Sequence, residues 1–491
     1  MDMKNLLDSL PDNPVLLSNG ERTLDRAALV ERVDSVAAAL AARRSPGAAV
    51  AILADNDPEW LVVDLATQAL GVTLVPLPLF FTPEQWLHAL HASGAQAIFC
   101  ADPARARLLG FATPIPCTGP LGLYERAPAA APPAPLHDVQ KITFTSGTTA
   151  TPKGVCLGTA QQWELAQALQ AGLAPLRLAR HLCLLPFAVL LENIAGPYTA
   201  LLSGATTICP PLAETGLSGA SGFDPQVCMD AIARYAPHSI ILVPQMLQAL
   251  VAAAAPQDPR LQSLRFVAVG GGKTSGALLA AARARGLPVY EGYGLSECAS
   301  VVALNLPGAE RDGSVGRPLA NRAVSIAHDG EIMVGHTVAR YLGQAAASGG
   351  MLATGDLGHL DADGFLYVDG RKKDVLITGY GRNVSPEWPE AALAGTGVIA
   401  QAMVVGEGRA HLAALIVPAR AGIDAATLAA AVVRANAALP DYARIARWKA
   451  VAPFTPANGL ATANGRLRRA AIQDRFAADI STLFDQQELA Q

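Results

Sequence analysis

The chain has 491 residues, more than one ordinary hydrophobic core serves, so two or more domains are expected. Half of it is hydrophobic (51%) and only 16% is charged, and 37 basic against 41 acidic side chains leave a formal charge of −4, which excludes the basic footprint of a nucleic-acid-binding protein. Seven cysteines, an odd number without C-x-x-C spacing, argue against structural zinc and for a reducing compartment, so a cytoplasmic location is expected.

In chain order, the opening "MDMKNLLDSLPDNP" carries acids and no apolar core segment, so no secretory signal is predicted. From Ala49 the pattern alternates: strand "AVAILA", a helix opened by Asp57 and Pro58, strand "GVTLVPL", a helix opened by Thr82 and Pro83, strand "AQAIFC". Asp or Thr followed by Pro starts a helix because the side chain caps free N–H groups and proline fits the first turn. The run "RAPAAAPPAPL" at 126–136 sustains neither helix nor central strand and predicts a surface linker separating two halves. Five further strands, "HLCLLPF", "ATTIC", "HSIILVP", "LRFVAVG" and "PVYEGYG", with helices such as "DPQVCMDAIARYA" and "SGALLAAARARG" between them, predict a second parallel sheet. The most lipophilic stretch is broken by Pro186, Glu192, Asn193 and Pro197, so no transmembrane span is expected. After Gly294, short turns rich in Gly and Asp predict a small antiparallel or barrel-like subdomain, and from about Asp374 helices and strands mix.

The stretch "FTSGTTATPKGV", 144–155, places five hydroxyls, two glycines and a lysine behind an apolar run. Backbone N–H groups, hydroxyls and an ammonium together favour dense negative charge. Gly147 to Lys153 has the interval of a Walker loop, but Pro152 replaces its second glycine and Gly154 its metal-binding hydroxyl residue, so a Walker-type loop is not expected. The plainer reading is a solvated hydroxyl-rich turn. Three more loops fall where strands are predicted to end: "GYGLSE" with Tyr293, Ser296 and Glu297, "ATGDLG" with Asp356, and "DGRKKDVLITGYGRNVSP" with Arg371. Ligands gather at the carboxyl ends of strands in open α/β sheets.

With these motifs in this order, the chain resembles the adenylate-forming superfamily of acyl-CoA synthetases, luciferases and peptide-synthetase adenylation domains, closest to fatty acyl-CoA synthetases. The resemblance runs from about residue 15 to the "TPANGLATANGRLRR" tail. It implies an α/β fold with a large N-terminal domain of two parallel-sheet αβ subdomains plus a small β-barrel-like one (1–372), and a small mobile α+β C-terminal domain (373–491) rotating about a hinge at Lys373. Thr145, Ser146, Gly147, Thr148, Thr149 and Lys153 then look like the cradle of the ATP β- and γ-phosphates, and Gly271, Gly272 and Gly294 belong to the nucleotide site. Tyr293 resembles the residue that stacks on adenine, Ser296 the hydroxyl near the α-phosphate, Glu297 the Mg²⁺ ligand, and Asp356 with Arg371 the pair on the ribose. Phe187, Val189, Gly196, Val243, Pro244 and Gly270 are implied as acyl-pocket wall.

Four positions depart from the family pattern. Arg466 stands where a C-terminal lysine usually bridges substrate carboxylate and ATP, and it is expected to act catalytically with Lys153, Ser296 and Glu297. Ala150 replaces a glycine, and Val189 a histidine common in fatty-acyl members. Lys273, unexpected in "VGGGKTSG", reads either as solvated or as a contact to substrate.

The implied reaction is ATP-dependent activation of a carboxylic, fatty-type acid to acyl-AMP, then transfer to the thiol of coenzyme A. Two alternatives stay open: loading of the phosphopantetheine thiol of an acyl carrier protein, and a nucleotide- or acyl-binding homologue impaired by Arg466. The expected partners are a small-molecule carboxylic acid and no nucleic acid, with a carrier protein or a peripheral membrane contact compatible with the sequence.

Overall fold

Asp57 and Thr82 act as their positions predict. Each side chain accepts a first-turn N–H, from Glu59 at 2.9 Å and Gln85 at 3.4 Å, and the helices Pro58–Leu70 and Pro83–Ser93 end at Gly71 and Gly94 in left-handed conformation. The computed structural model describes residues 3–43, 47–127, 136–145, 152–219, 222–335, 340–344, 350–462 and 465–485.

Around these helices the strands Ala49–Leu53, Thr73–Pro76 and Ala97–Cys100 pair in parallel, every residue buried, as expected when helices cover both faces. Lys141–Thr145 and Lys153–Leu157 extend the same sheet beyond Thr73–Pro76. This corrects the expectation that the proline-rich run separates two halves: the chain after it returns to the first sheet. The reverse also occurs, since Leu17–Ser18 and Thr23–Leu24 join the second sheet. The reason is burial. Val139, Ile142 and Phe144 complete the apolar layer over Ala51 and Ile98, whereas composition at 126–136 reports only local stiffness.

All five strands predicted for the second sheet form, in the spatial order Val289–Tyr293, Phe266–Val269, Ser239–Leu242, Arg180–Leu182, Thr206–Ile208, each pair parallel. The two sheets share a core in which Trp60, Trp163, Phe187 and Tyr198 meet. A four-stranded antiparallel sheet follows, Ala323–Ile326, Glu331–Gly335, Leu352–Leu360 and Leu366–Arg371. The remainder builds its own cores around the three-stranded sheet Ile399–Val405, Leu412–Pro418 and Ile445–Ala450. The architecture is therefore the expected mixed α/β one, with a larger N-terminal part of parallel sheets and a smaller C-terminal part. No helix among the described residues is long and apolar enough to cross a membrane.

Candidate active site

The carboxyl ends of the second sheet, the antiparallel sheet and the C-terminal part converge on one cleft of about 1660 Å³. Asp356 lines it. It does not end a strand, as expected, but lies inside Leu352–Leu360, because Gly355 takes φ +73° and the strand runs on through a register shift at Leu357/Gly358. That register places Asp356 directly opposite Arg371, the last residue of Leu366–Arg371. Their side chains meet, Arg371 Nε to Asp356 Oδ1 at 2.9 Å, and Arg371 also donates to the Thr354 carbonyl at 3.0 Å. The Tyr293 hydroxyl, at the end of Val289–Tyr293, donates to Asp356 Oδ2 at 2.6 Å. Burial pushes the Asp356 carboxyl up and the Arg371 charge opposes this, while burial and the Asp356 charge raise the Tyr293 phenol. Gly294 is a required glycine: a Cβ there would lie 1.6 Å from the Ser300 carbonyl oxygen.

Ser296 and Glu297 begin a short 3₁₀ turn, and both face the cleft. Glu297 accepts a hydrogen bond from the Tyr341 hydroxyl at 2.5 Å. Tyr341 belongs to the short strand Arg340–Tyr341, paired to Lys153–Leu157, and Lys153 Nζ lies 5.7 Å from its ring centre. Thr145 and Lys153 are cross-strand partners that line the cleft. Ser146, Gly147, Thr148, Thr149 and Ala150 lie outside the described residues.

Gly270, Gly271 and Gly272 follow Phe266–Val269 along the same cleft, and Gly271 has φ +83°. Val189, Gly196 and Val243 line it as well, with Pro244 starting the helix behind Gly272. Phe187 does not. It is 1% exposed and packs against Trp60, ring centres 5.4 Å apart, because the Asn56 side chain holds its backbone N–H inward at 2.9 Å. Gly196 leaves room for a buried pair, since a Cβ would fall 2.5 Å from Glu192 Oε1 and 2.6 Å from His181 Nε2. Those two atoms are 2.8 Å apart, His181 Nδ1 meets Ser239 Oγ at 3.0 Å, and Glu192 Oε2 accepts the N–H groups of Leu184 and Leu185.

From the C-terminal part, Arg466 and Lys373 reach the cleft. Arg466 sits in a hairpin closed by its own backbone bonds to Thr462 and faces the charges of Arg371, Glu387, Asp356 and Glu297. Enclosure and the neighbouring Arg371 push its guanidinium down, and the three carboxylates oppose this. Lys449, the nearest lysine upstream of Arg466, is paired with Asp479 at 2.5 Å. Lys273 is exposed, in keeping with the solvated reading, and its ammonium also donates to the Val368 carbonyl at 3.0 Å, tying its loop to the antiparallel sheet.

Sequence reasoning missed three cleft residues. Tyr341 carries no local signal. Glu387 reads as an ordinary helix-start acid. Glu291 offered one, a lone charge inside the apolar strand "PVYEGYG": its carboxylate accepts the Thr274 N–H at 3.0 Å, and burial raises its pKa to about 7.

The profile of the AMP-binding enzyme family matches residues 6–349, and that of the AMP-binding enzyme C-terminal domain matches 373–488. The chain belongs to the AMP-binding enzyme family. The expected AMP-forming ligase stands on that membership. Among similar proteins, the 2-succinylbenzoate–CoA ligase of Geobacillus kaustophilus is 32% identical over 80% of this chain and 81% of its own length. The long-chain-fatty-acid–CoA ligase FadD15 of Mycobacterium bovis is 26% identical over 90% and 88%. The solved O-succinylbenzoate coenzyme A synthetase of Bacillus subtilis, in complex with ATP and magnesium ion, shares the fold with TM-score 0.75 at 24% identity, covering 96% of this chain and 99% of that one.

Proposed function

We propose that this chain activates an apolar, fatty-type carboxylic acid with ATP and transfers the acyl group to the thiol of coenzyme A. The observation that carries this reading is a convergence: the Tyr293–Asp356–Arg371 clamp and Arg466 face a cleft that continues past Gly270 between Leu191, Ala195, Ala268, Val301 and Leu304. A vicinal diol fits an ionised acceptor beside a guanidinium, and the apolar continuation fits a hydrocarbon body.

In the first half-reaction a carboxylate oxygen attacks the α-phosphorus and pyrophosphate leaves. Arg466 lies across the cleft from Asp356 and offers a planar fork, able to hold a carboxylate oxygen and a phosphate oxygen together. Lys153 and the 146–149 loop are assigned to the outer phosphates. The Glu297 carboxylate is a hard oxygen donor suited to magnesium, which when bound offsets phosphate charge. In the second half-reaction the thiolate attacks the acyl carbonyl and AMP leaves, with the C-terminal part turning about Lys373 so that Arg466 gives way to the thiol.

ATP–pyrophosphate exchange across a panel of alkyl and aryl acids tests the first half, followed by addition of coenzyme A or a phosphopantetheinylated carrier protein. The reading expects exchange with medium or long alkyl acids and turnover with coenzyme A. Turnover only with the carrier, or exchange confined to aryl acids, would contradict it.

A further inference from the structure

Lys141 is fully buried, as are Asp64, Asn193 and Tyr198 around it. Its ammonium donates to Asp64 Oδ2 at 2.8 Å, Asn193 Oδ1 at 2.5 Å and the Tyr198 hydroxyl at 3.1 Å. Asp64 Oδ2 also accepts from Tyr198 at 2.8 Å and Asn193 at 3.2 Å, and Gln68 donates to the Tyr198 oxygen at 2.6 Å. A buried ion pair contributes little net stability, since apolar residues of like volume do as well. What it contributes is geometry, because few arrangements bring Asp64 Oδ2, Asn193 Oδ1 and the Tyr198 hydroxyl onto one buried ammonium.

Three elements meet there, and two of them lead to the cleft. Lys141 opens the strand Lys141–Thr145, whose far end, about 13 Å away, is the threshold of the 144–155 loop and faces Lys153. Asn193 directly follows Glu192, the carboxylate that holds His181 and the Leu184 and Leu185 N–H groups beside the acyl cavity. Asn193 and Tyr198 are five residues apart, which α-helical periodicity would set about 140° around the axis. The segment Ile194–Tyr198 is instead a π turn containing Pro197, and this widening turns both side chains toward Lys141 while Ala195 and Gly196 line the cavity. The third element, the helix Pro58–Leu70, supplies Asp64 as the fixed point, and Tyr198 stacks on Trp163 with ring centres 4.3 Å apart.

We propose that Lys141, Asp64, Asn193 and Tyr198 form a positioning device that holds the phosphate-loop hairpin in register with the acyl-pocket helix, so that the α-phosphorus and the carboxylate meet in line. The device rests on the ligase reading, because it assigns the hairpin to the outer phosphates of ATP.

The test is equilibrium binding of magnesium-ATP and of AMP to the full chain by calorimetry, for the wild type, the double variant Lys141→Met/Asp64→Asn and the single variant Tyr198→Phe. AMP has no outer phosphates and does not engage the hairpin. A folded double variant is expected to bind ATP at least tenfold more weakly and AMP within twofold of wild type, with Tyr198→Phe losing about threefold for ATP alone. Equal losses for both nucleotides, or none, would overturn the proposal and leave the network a packing feature. Should the double variant not fold, the selective loss or its absence in Tyr198→Phe decides. A wild-type chain that binds neither nucleotide defeats the ligase reading itself.

Discussion

On the proposed reading, activity turns on Arg466. A guanidinium is planar and forked where an ammonium is a point charge, so the two reach a pair of oxygens differently. Arg466→Ala is expected to cut acid-dependent pyrophosphate exchange by about 10²- to 10³-fold, the usual size for removal of one group that stabilises developing charge. Arg466→Lys is expected to keep or raise the rate, and equal rates in all three proteins would make the residue a bystander. Asp356→Asn is a second residue-scale prediction. It leaves a neutral acceptor beside Arg371 and Tyr293, and the KM for ATP is expected to rise about tenfold with the fold intact, as for loss of a charge-assisted hydrogen bond worth 1.5–3 kcal/mol. Tyr293, Asp356 and Arg371 were legible because each sits in a glycine-marked motif. Tyr341 was not: what brings it to Glu297 is a two-residue strand pairing across the molecule, and neighbouring residues in sequence carry no trace of that.

At the scale of elements, the strand Val289–Tyr293 carries a built-in pH dependence. Glu291 has its pKa raised from 4.5 to about 7, chiefly by burial. The folded state therefore favours the protonated carboxyl. The associated stability is complete below pH 4.5 and is lost as the pH rises through 7, up to roughly 3 kcal/mol in total. Thermal unfolding of Glu291→Gln is expected to show a weaker fall in stability between pH 4.5 and 7.5 than wild type, and identical slopes would contradict this. Gly196→Ala tests another element, since its methyl meets the His181–Glu192 pair, and a loss of about 1–3 kcal/mol is expected in denaturant unfolding. Strands and caps were readable because their causes are local: alternating apolar runs, and an acid or hydroxyl before proline. The sheet to which a strand belongs was not. The proline-rich 126–136 run looked like a boundary, yet Ile142 and Phe144 find their complementary apolar surface in the sheet already begun.

At the scale of the molecule, the proposed reaction calls for two arrangements of the same chain. The described one has Arg466 facing Asp356 and Glu297 across the cleft, which suits adenylation. Lys373 sits in the short 3₁₀ turn that joins Leu366–Arg371 to the C-terminal part, and a proline there fixes φ and removes an N–H. Lys373→Pro is expected to leave acid-dependent pyrophosphate exchange within about threefold of wild type while lowering coenzyme A-dependent turnover at least tenfold, and parallel losses would argue against a turn at this position.

The central claim, that this cleft turns an organic acid into its adenylate, is tested most directly by trapping with hydroxylamine. With ATP, magnesium and a panel of purified alkyl acids, the wild type should form the corresponding hydroxamate in a strictly ATP-dependent manner, and Arg466→Ala should form little. No ATP-dependent hydroxamate with any acid, from a folded protein that still binds ATP, would contradict the account.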